Sequence, residues 1–184
     1  TSRSGVRVPP VRPRQSETGS PQVRFGRSGR VLMDQDRRFM RMALDLAAEA
    51  RERGEVPVGA VVVVGGKAVG RGRNCPVTTS DPTAHAEMIA ITQAATSLEN
   101  CRLEGTEMYV TLEPCTMCAG AMIHARIARL VFGAYDPRTG AIESVANILD
   151  QPHHNHRLDY LGGVLEGECS LLLKTFFERK RLKK

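Results

Sequence analysis

The sequence predicts an α/β domain: a three-layer α/β/α sandwich around a mixed central sheet. Two observations carry this expectation. Apolar runs of strand length alternate with segments of helical periodicity, as strand, helix, strand, helix, strand. The strand runs are also apolar enough to be buried, which suits a sheet with helices on both faces.

From Asp34 a helix is expected, because Phe39, Met42, Ala43, Leu46, Ala47 and Ala50 recur at helical spacing and Gly54 is placed to end it. That stripe reads as core. Residues 58–64 form a run rich in valine, hence a buried strand, and Gly65-Gly66 makes a tight hairpin turn into Lys67–Arg73. Residues 74–82 are a loop with two prolines, leading into a helix over 85–97. Glu107–Leu112 is the next strand. A helix over 115–125 follows it, kept small on one side by Ala119, Gly120 and Ala121, and residues 129–132 form another strand. Residues 133–157 show little regular pattern beyond a short helix near 144–149, and this long, polar, His-rich segment suits a binding loop. Glu166–Leu182 closes the chain as a helix with Cys169, Leu172, Leu173, Phe176 and Phe177 as its apolar positions.

The 184 residues suit one domain with an extension. Residues 1–33 are rich in Arg, Pro and Ser and lack hydrophobic periodicity, so they are expected to be a disordered extension to a domain spanning 34–184. Their seven arginines and single acid, Glu17, account for the whole formal charge of +6, and residues 34–184 are balanced. The extension has three readings: an organelle transit peptide, a non-specific nucleic-acid arm, or a dispensable segment, the last being favoured. No apolar run is long enough for a membrane span. Five cysteines, an odd number, argue for a reducing compartment and a cytoplasmic protein, with organelle import if residues 1–33 are a transit peptide.

Chemistry concentrates in two short stretches, His85-Ala86-Glu87 and Pro114-Cys115-Thr116-Met117-Cys118. A His-x-Glu followed by Pro-Cys-x-x-Cys is the established signature of zinc-dependent nucleobase deaminases. Catalytic zinc takes three protein ligands and leaves a position for water. Cys115 and Cys118 lie about one helical turn apart on one face, and His85 is the third ligand. Water on zinc has a pKa near ~7 instead of ~15.7, so hydroxide is available at neutral pH. Glu87 is the expected proton shuttle. Mid-helix, it would point about 200° away from His85; both can face one point only in a first helical turn. Pro114 suits the strand-to-helix corner before Cys115.

Each motif has a plainer reading. Cys115-x-x-Cys118 alone would serve as a redox pair or half a structural zinc site, and a lone histidine is more often buried or capping. A structural zinc needs a fourth protein ligand. Of Cys75, Cys101, Cys169 and His124, His124 lies about 120° round the helix from Cys118, and Cys75, beside a site loop, stays open. A second metal site at His153, His154 and His156 is disfavoured by irregular spacing.

Beyond these motifs, Asp81-Pro82-Thr83-Ala84-His85-Ala86-Glu87 and residues 110–124 resemble the bacterial tRNA-specific adenosine deaminase family of the cytidine/deoxycytidylate deaminase superfamily. Residues 55–61, 132–136 and Asn155-His156-Arg157 resemble further blocks, and the match covers 36–182. The resemblance implies a cytidine-deaminase-like fold. It also implies hydrolytic conversion of the wobble adenosine of a tRNA anticodon to inosine, and one zinc per subunit held by His85, Cys115 and Cys118. It assigns Asn74 to the base or its ribose and Val58 to the base face. Asp136, Asn155, His156 and Arg157 would lie beside the flanking nucleotides of the anticodon stem-loop, with homodimers shaping the RNA site.

The runner-up is a zinc deaminase of a free nucleobase or nucleoside, guanine or cytosine type. A third reading, a catalytically dead RNA-binding subunit, is disfavoured by Glu87. The basic end at residues 178–184, five cations against one acid, favours RNA, although cations also suit a helix C-terminus for its own sake.

Overall fold

The computed structural model describes residues 27–182, with side chains from Met33 onward. Its elements are α1 (Arg27–Glu52), β1 (Gly59–Val64), β2 (Lys67–Arg73), α2 (Pro76–Thr79), α3 (Ala86–Ser97), β3 (Glu107–Leu112), α4 (Thr116–Ala125), β4 (Arg129–Ala134), β5 (Asp159–Leu161) and α5 (Glu166–Leu182). The five strands form one mixed sheet in the order β2-β1-β3-β4-β5. β1 runs antiparallel to both β2 and β3, whereas β3, β4 and β5 are parallel.

Period-two alternation divides the strand side chains between two cores. Ala60, Val62, Met108, Val110, Leu130 and Phe132 pack with Ala86 and Ala90 of α3 and Ala119 and Met122 of α4. Val61, Val63, Tyr109 and Val131 pack on the other face with Phe39, Met40 and Ala43 of α1 and Cys169 of α5. This is the α/β/α sandwich the sequence predicts. Two glycines set how closely the helices approach. A Cβ at Gly59 would strike the Ala43 carbonyl of α1, and one at Gly72 would strike the Ala86 carbonyl in the first turn of α3.

A charged cluster fixes α1 at the N-terminal ends of β3 and β4. Arg129 donates to both Asp36 oxygens at 2.8 Å and to Glu107 at 2.9 Å. The Tyr109 hydroxyl sits 3.0 Å from Asp36 Oδ1 and 2.7 Å from Glu107 Oε2. Asp36 is buried, and only such pairing makes a buried carboxylate tolerable.

The structure departs from the sequence expectation in four places. The first helix begins at Arg27 rather than Asp34, so it takes in the last residues of the segment expected to be disordered; residues 1–26 lie outside the described residues. Pro76–Thr79 forms one helical turn inside the expected 74–82 loop. The helix expected near 144–149 is absent: the stretch is turns and bends, preceded by the Ile142, Glu143 and Ser144 N–H groups on the Glu113 carboxylate. β5, three residues long, escaped detection because so short a run carries no periodicity. Among the described residues no helix is long and apolar enough to cross a membrane.

Candidate active site

Two helix N-termini converge at the C-terminal end of β3. His85 is the N-cap of α3 and Cys115 the N-cap of α4, both with extended backbone and neither using its side chain to cap. Both side chains are thereby free to face each other, with Cys118 one turn into α4. His85 Nδ1 lies 3.7 Å from Cys115 Sγ and 3.6 Å from Cys118 Sγ, and the three ligand atoms lie within 4.8 Å of one another. Zinc with bonds of about 2.3 Å to S and about 2.0 Å to N would hold tetrahedral S and N ligands about 3.5 Å apart. The donor set and its spacing therefore fit zinc.

None of the candidate fourth ligands joins this group. The Cys75 thiol points to the Ala84 carbonyl at 3.9 Å, Cys101 is exposed, His124 is exposed at the far end of α4, and Cys169 is buried under α5. Three protein ligands match a catalytic rather than a structural site. His156 has its Nε2 2.7 Å from the Ile127 carbonyl, the His153 and His154 rings pack tilted with centroids 4.2 Å apart, and no second metal group forms there among the described residues.

The hydrogen bonds from Cys118 and His85 hold the Cys115 thiol down at about 4, a thiolate at neutral pH. The contact with Cys115 and burial push Cys118 up, and the Cys115 contact also raises His85. A bound divalent cation would deprotonate both sulfurs outright. Glu87, in the first turn of α3 beside His85, is 4 % exposed, and burial raises its carboxyl above the ordinary value of 4.5. A raised carboxyl trades protons more readily near neutrality.

His85, Glu87 and Cys115 line a cavity of ≈ 200 Å³ together with Val56, Val58, Asn74, Leu112, Glu113, Asp136 and Thr139. Asn74 is delivered by the end of β2, where its N–H donates to the Val58 carbonyl at 3.0 Å. Of the residues named from the zinc motifs and the family resemblance, Val58, Asn74, His85, Glu87, Cys115 and Asp136 line this one cavity, and Cys118 lies beside it in the ligand group. It does not bring Asn155, His156 and Arg157 to this cavity within one chain. Those residues precede β5 at the N-terminal end of the parallel strands, where Arg126 donates to the Asn155 carbonyl at 2.7 Å. Glu113, Val56, Leu112 and Thr139 were not foreseen. For Glu113 the available signal was an acid at the end of an apolar strand.

A larger groove of ≈ 580 Å³ adjoins the cavity, sharing Val56, Leu112 and Asp136 and continuing over Tyr135, Arg138, Lys174, Phe177 and Arg181. The basic end of α5 thus flanks the mouth of the site.

Fold and site together define the class, a zinc-dependent hydrolytic deaminase. Residues 33–134 match the cytidine and deoxycytidylate deaminase zinc-binding region. The chain is 49% identical over 158 residues to the tRNA-specific adenosine deaminase of Haemophilus influenzae, covering 85% of this chain and 91% of that one. A solved structure from studies of A-to-I editing by tRNA:A34 deaminases at the wobble position superposes with a TM-score of 0.72 at 46% identity, over 74% of this chain and 99% of that one. A guanine deaminase from Nitrosomonas europaea, 24% identical with a TM-score of 0.64 over 76% of this chain and 83% of that one, shares the fold. The chain belongs to the tRNA-specific adenosine deaminase family.

Proposed function

We propose that this chain hydrolyses the wobble adenosine of tRNA anticodons to inosine. The observation that carries the reading is Glu87 facing a zinc-competent His85, Cys115 and Cys118 group inside a cavity that opens onto a basic, aromatic groove. At ≈ 200 Å³ the cavity is smaller than the ~300–1,000 Å³ typical of drug-sized ligand sites, so it suits one base with its ribose and phosphates outside. An anticodon loop offers such a base already single-stranded.

His85, Cys115 and Cys118 would hold zinc, which would acidify a bound water enough to give hydroxide near neutral pH. Glu87 takes the water proton, passes it to a ring nitrogen and then assists departure of ammonia. Val58 packs on the base face and the Asn74 amide contacts the base or ribose. Asp136 stands between cavity and groove, where the nucleotides flanking the target would lie, and Arg138, Lys174 and Arg181 meet their phosphates. Free-base deamination, the alternative, leaves this groove without a purpose.

The same reading includes a homodimer. Asn155, His156 and Arg157 lie away from the cavity of their own chain and would reach the RNA site from a second copy, and Gly120 on α4 has open space beside it for close packing. A cytoplasmic location accords with five free cysteines. The deaminase domain proposed for residues 34–184 takes in α1 from Arg27.

The test is inosine formation at the wobble position of a minimal arginine-tRNA anticodon stem-loop carrying ACG, read as G on reverse transcription, with free adenosine, guanine and cytosine alongside. Conversion of the stem-loop alone is expected. Turnover of a free base without the RNA would overturn the substrate and keep the zinc chemistry.

A further inference from the structure

The segment leaving β4 forms a wall between the two cavities. Asp136 and Thr139 line the catalytic cavity, and Asp136, Pro137 and Arg138 line the groove. Between β4 and β5 the chain has turns and bends but no helix or strand; short bonds such as Gly140 N–H to the Asp136 carbonyl at 3.0 Å and Arg138 N–H to Asp136 Oδ1 at 2.9 Å shape the wall locally without tying it to the sheet. One buried side chain supplies the anchor.

Glu113 is 2 % exposed and stands two residues before Cys115. Its Oε2 accepts the Asp136 N–H at 3.0 Å and the Ser144 hydroxyl. Its Oε1 accepts three successive N–H groups, from Ile142 at 3.1 Å, Glu143 at 2.7 Å and Ser144 at 2.9 Å. Successive N–H groups converging on one oxygen form an anion nest, and here the anion is the protein's own carboxylate. Gly140 completes the enclosure, since a Cβ there would run into the Glu113 carboxylate and the Asp136 carbonyl. The Ala141 N–H adds a bond to the Pro114 carbonyl at 2.9 Å. A carboxylate offers roughly four lone-pair sites, and five donors occupy them. Glu113 lines the cavity but has no acceptor capacity left to serve as a second proton carrier.

We infer that Glu113 is a positioning residue for RNA binding: its carboxylate holds residues 136–144 as the wall between base cavity and groove. The inference rests on the RNA deaminase reading above. It explains why an acid follows the apolar strand β3: the carboxylate ties the end of that strand to the surface that meets the flanking nucleotides. A glutamine keeps the shape but turns an NH2 toward N–H donors, so it cannot satisfy both sides of the nest.

A displaced wall removes mainly contacts made equally in ground and transition states, so KM should rise by more than kcat falls. Glu113→Gln is expected to raise KM for the stem-loop by about ten-fold or more, a larger factor than any fall in kcat, with bound zinc unchanged by metal analysis. Gly140→Ala leaves Glu113 and β3 intact but pushes a methyl against the carboxylate, and should reproduce the KM rise. Ser144→Ala removes one donor and should give a smaller rise. These two carry the test if Glu113→Gln fails to fold. Unchanged KM in the zinc-loaded variants, or a fall in kcat at unchanged KM, would overturn the inference. A wild-type protein that leaves the stem-loop unconverted would refute the functional reading instead, so that arm runs first.

Discussion

Glu87 and Cys115 divide the work of the site, and their substitutions should fail differently. Glu87→Ala removes the proton carrier and none of the ligand atoms. Zinc content should stay at the wild-type level while stem-loop turnover falls by roughly 10²–10⁴-fold, the usual worth of such proton transfer. Wild-type-like turnover would remove Glu87 from the mechanism. Cys115→Ala takes away a sulfur that sits 3.7 Å from His85 Nδ1. It should cost both bound metal and thermal stability, because metal affinity is linked to folding; unchanged zinc in the purified variant would contradict the ligand assignment. At this scale the sequence was informative, since His85, Glu87, Cys115 and Cys118 have few other reasons to occur together in that order. Glu113 was not legible because its partners lie 23 to 31 residues away in the chain.

Helix placement decides whether those residues meet. Gly72 on β2 lies against the Ala86 carbonyl, between His85 and Glu87 in sequence. Gly72→Ala should push the first turn of α3 off the sheet, at the ~1–3 kcal/mol typical of overpacking. Zinc binding should weaken although no ligand has changed, which titration with a competing chelator would detect. A second element, α2, is held by another buried carboxylate. Glu55 accepts the Thr78 N–H at 2.6 Å, the Thr78 hydroxyl at 2.7 Å and the Val77 N–H at 3.3 Å. Burial raises its pKa, but these bonds and the nearby Lys180 together bring it below the ordinary 4.5. The unfolded chain therefore holds this proton more tightly than the folded one. The stability Glu55 contributes is full above the ordinary value and disappears as pH falls through the lower, folded-state value. Glu55→Gln should lose less urea stability than wild type between pH 7 and about pH 3; equal losses would show that the α2 clamp is not ionic.

For the whole molecule, the distance between Arg157 and the cavity within one chain makes a mixed-dimer experiment decisive. One inactive copy carries Glu87→Ala, the other Arg157→Ala. If Arg157 acts across a dimer, mixing them creates one site with both residues intact, and stem-loop conversion should exceed the sum of the two separate proteins. No gain on mixing, in samples shown to exchange subunits, would place Arg157 outside the RNA site.

The sequence by itself determined the layer order, most of the strands and helices, and the zinc-deaminase chemistry, because these depend on local periodicity and on residue types with few alternative uses. The tertiary structure alone decided what encloses the site. His85 and Cys115 meet across 30 residues only because β3 delivers α4 beside the first turn of α3. Residues 142–144 turn their N–H groups onto a buried carboxylate that stands at the end of β3. Residues 155–157, legible as a block, fall at the opposite end of the strands because β5 pairs parallel to β4. Such hydrogen bonds and strand direction act through contacts far apart in the chain, and spacing along the chain does not encode them.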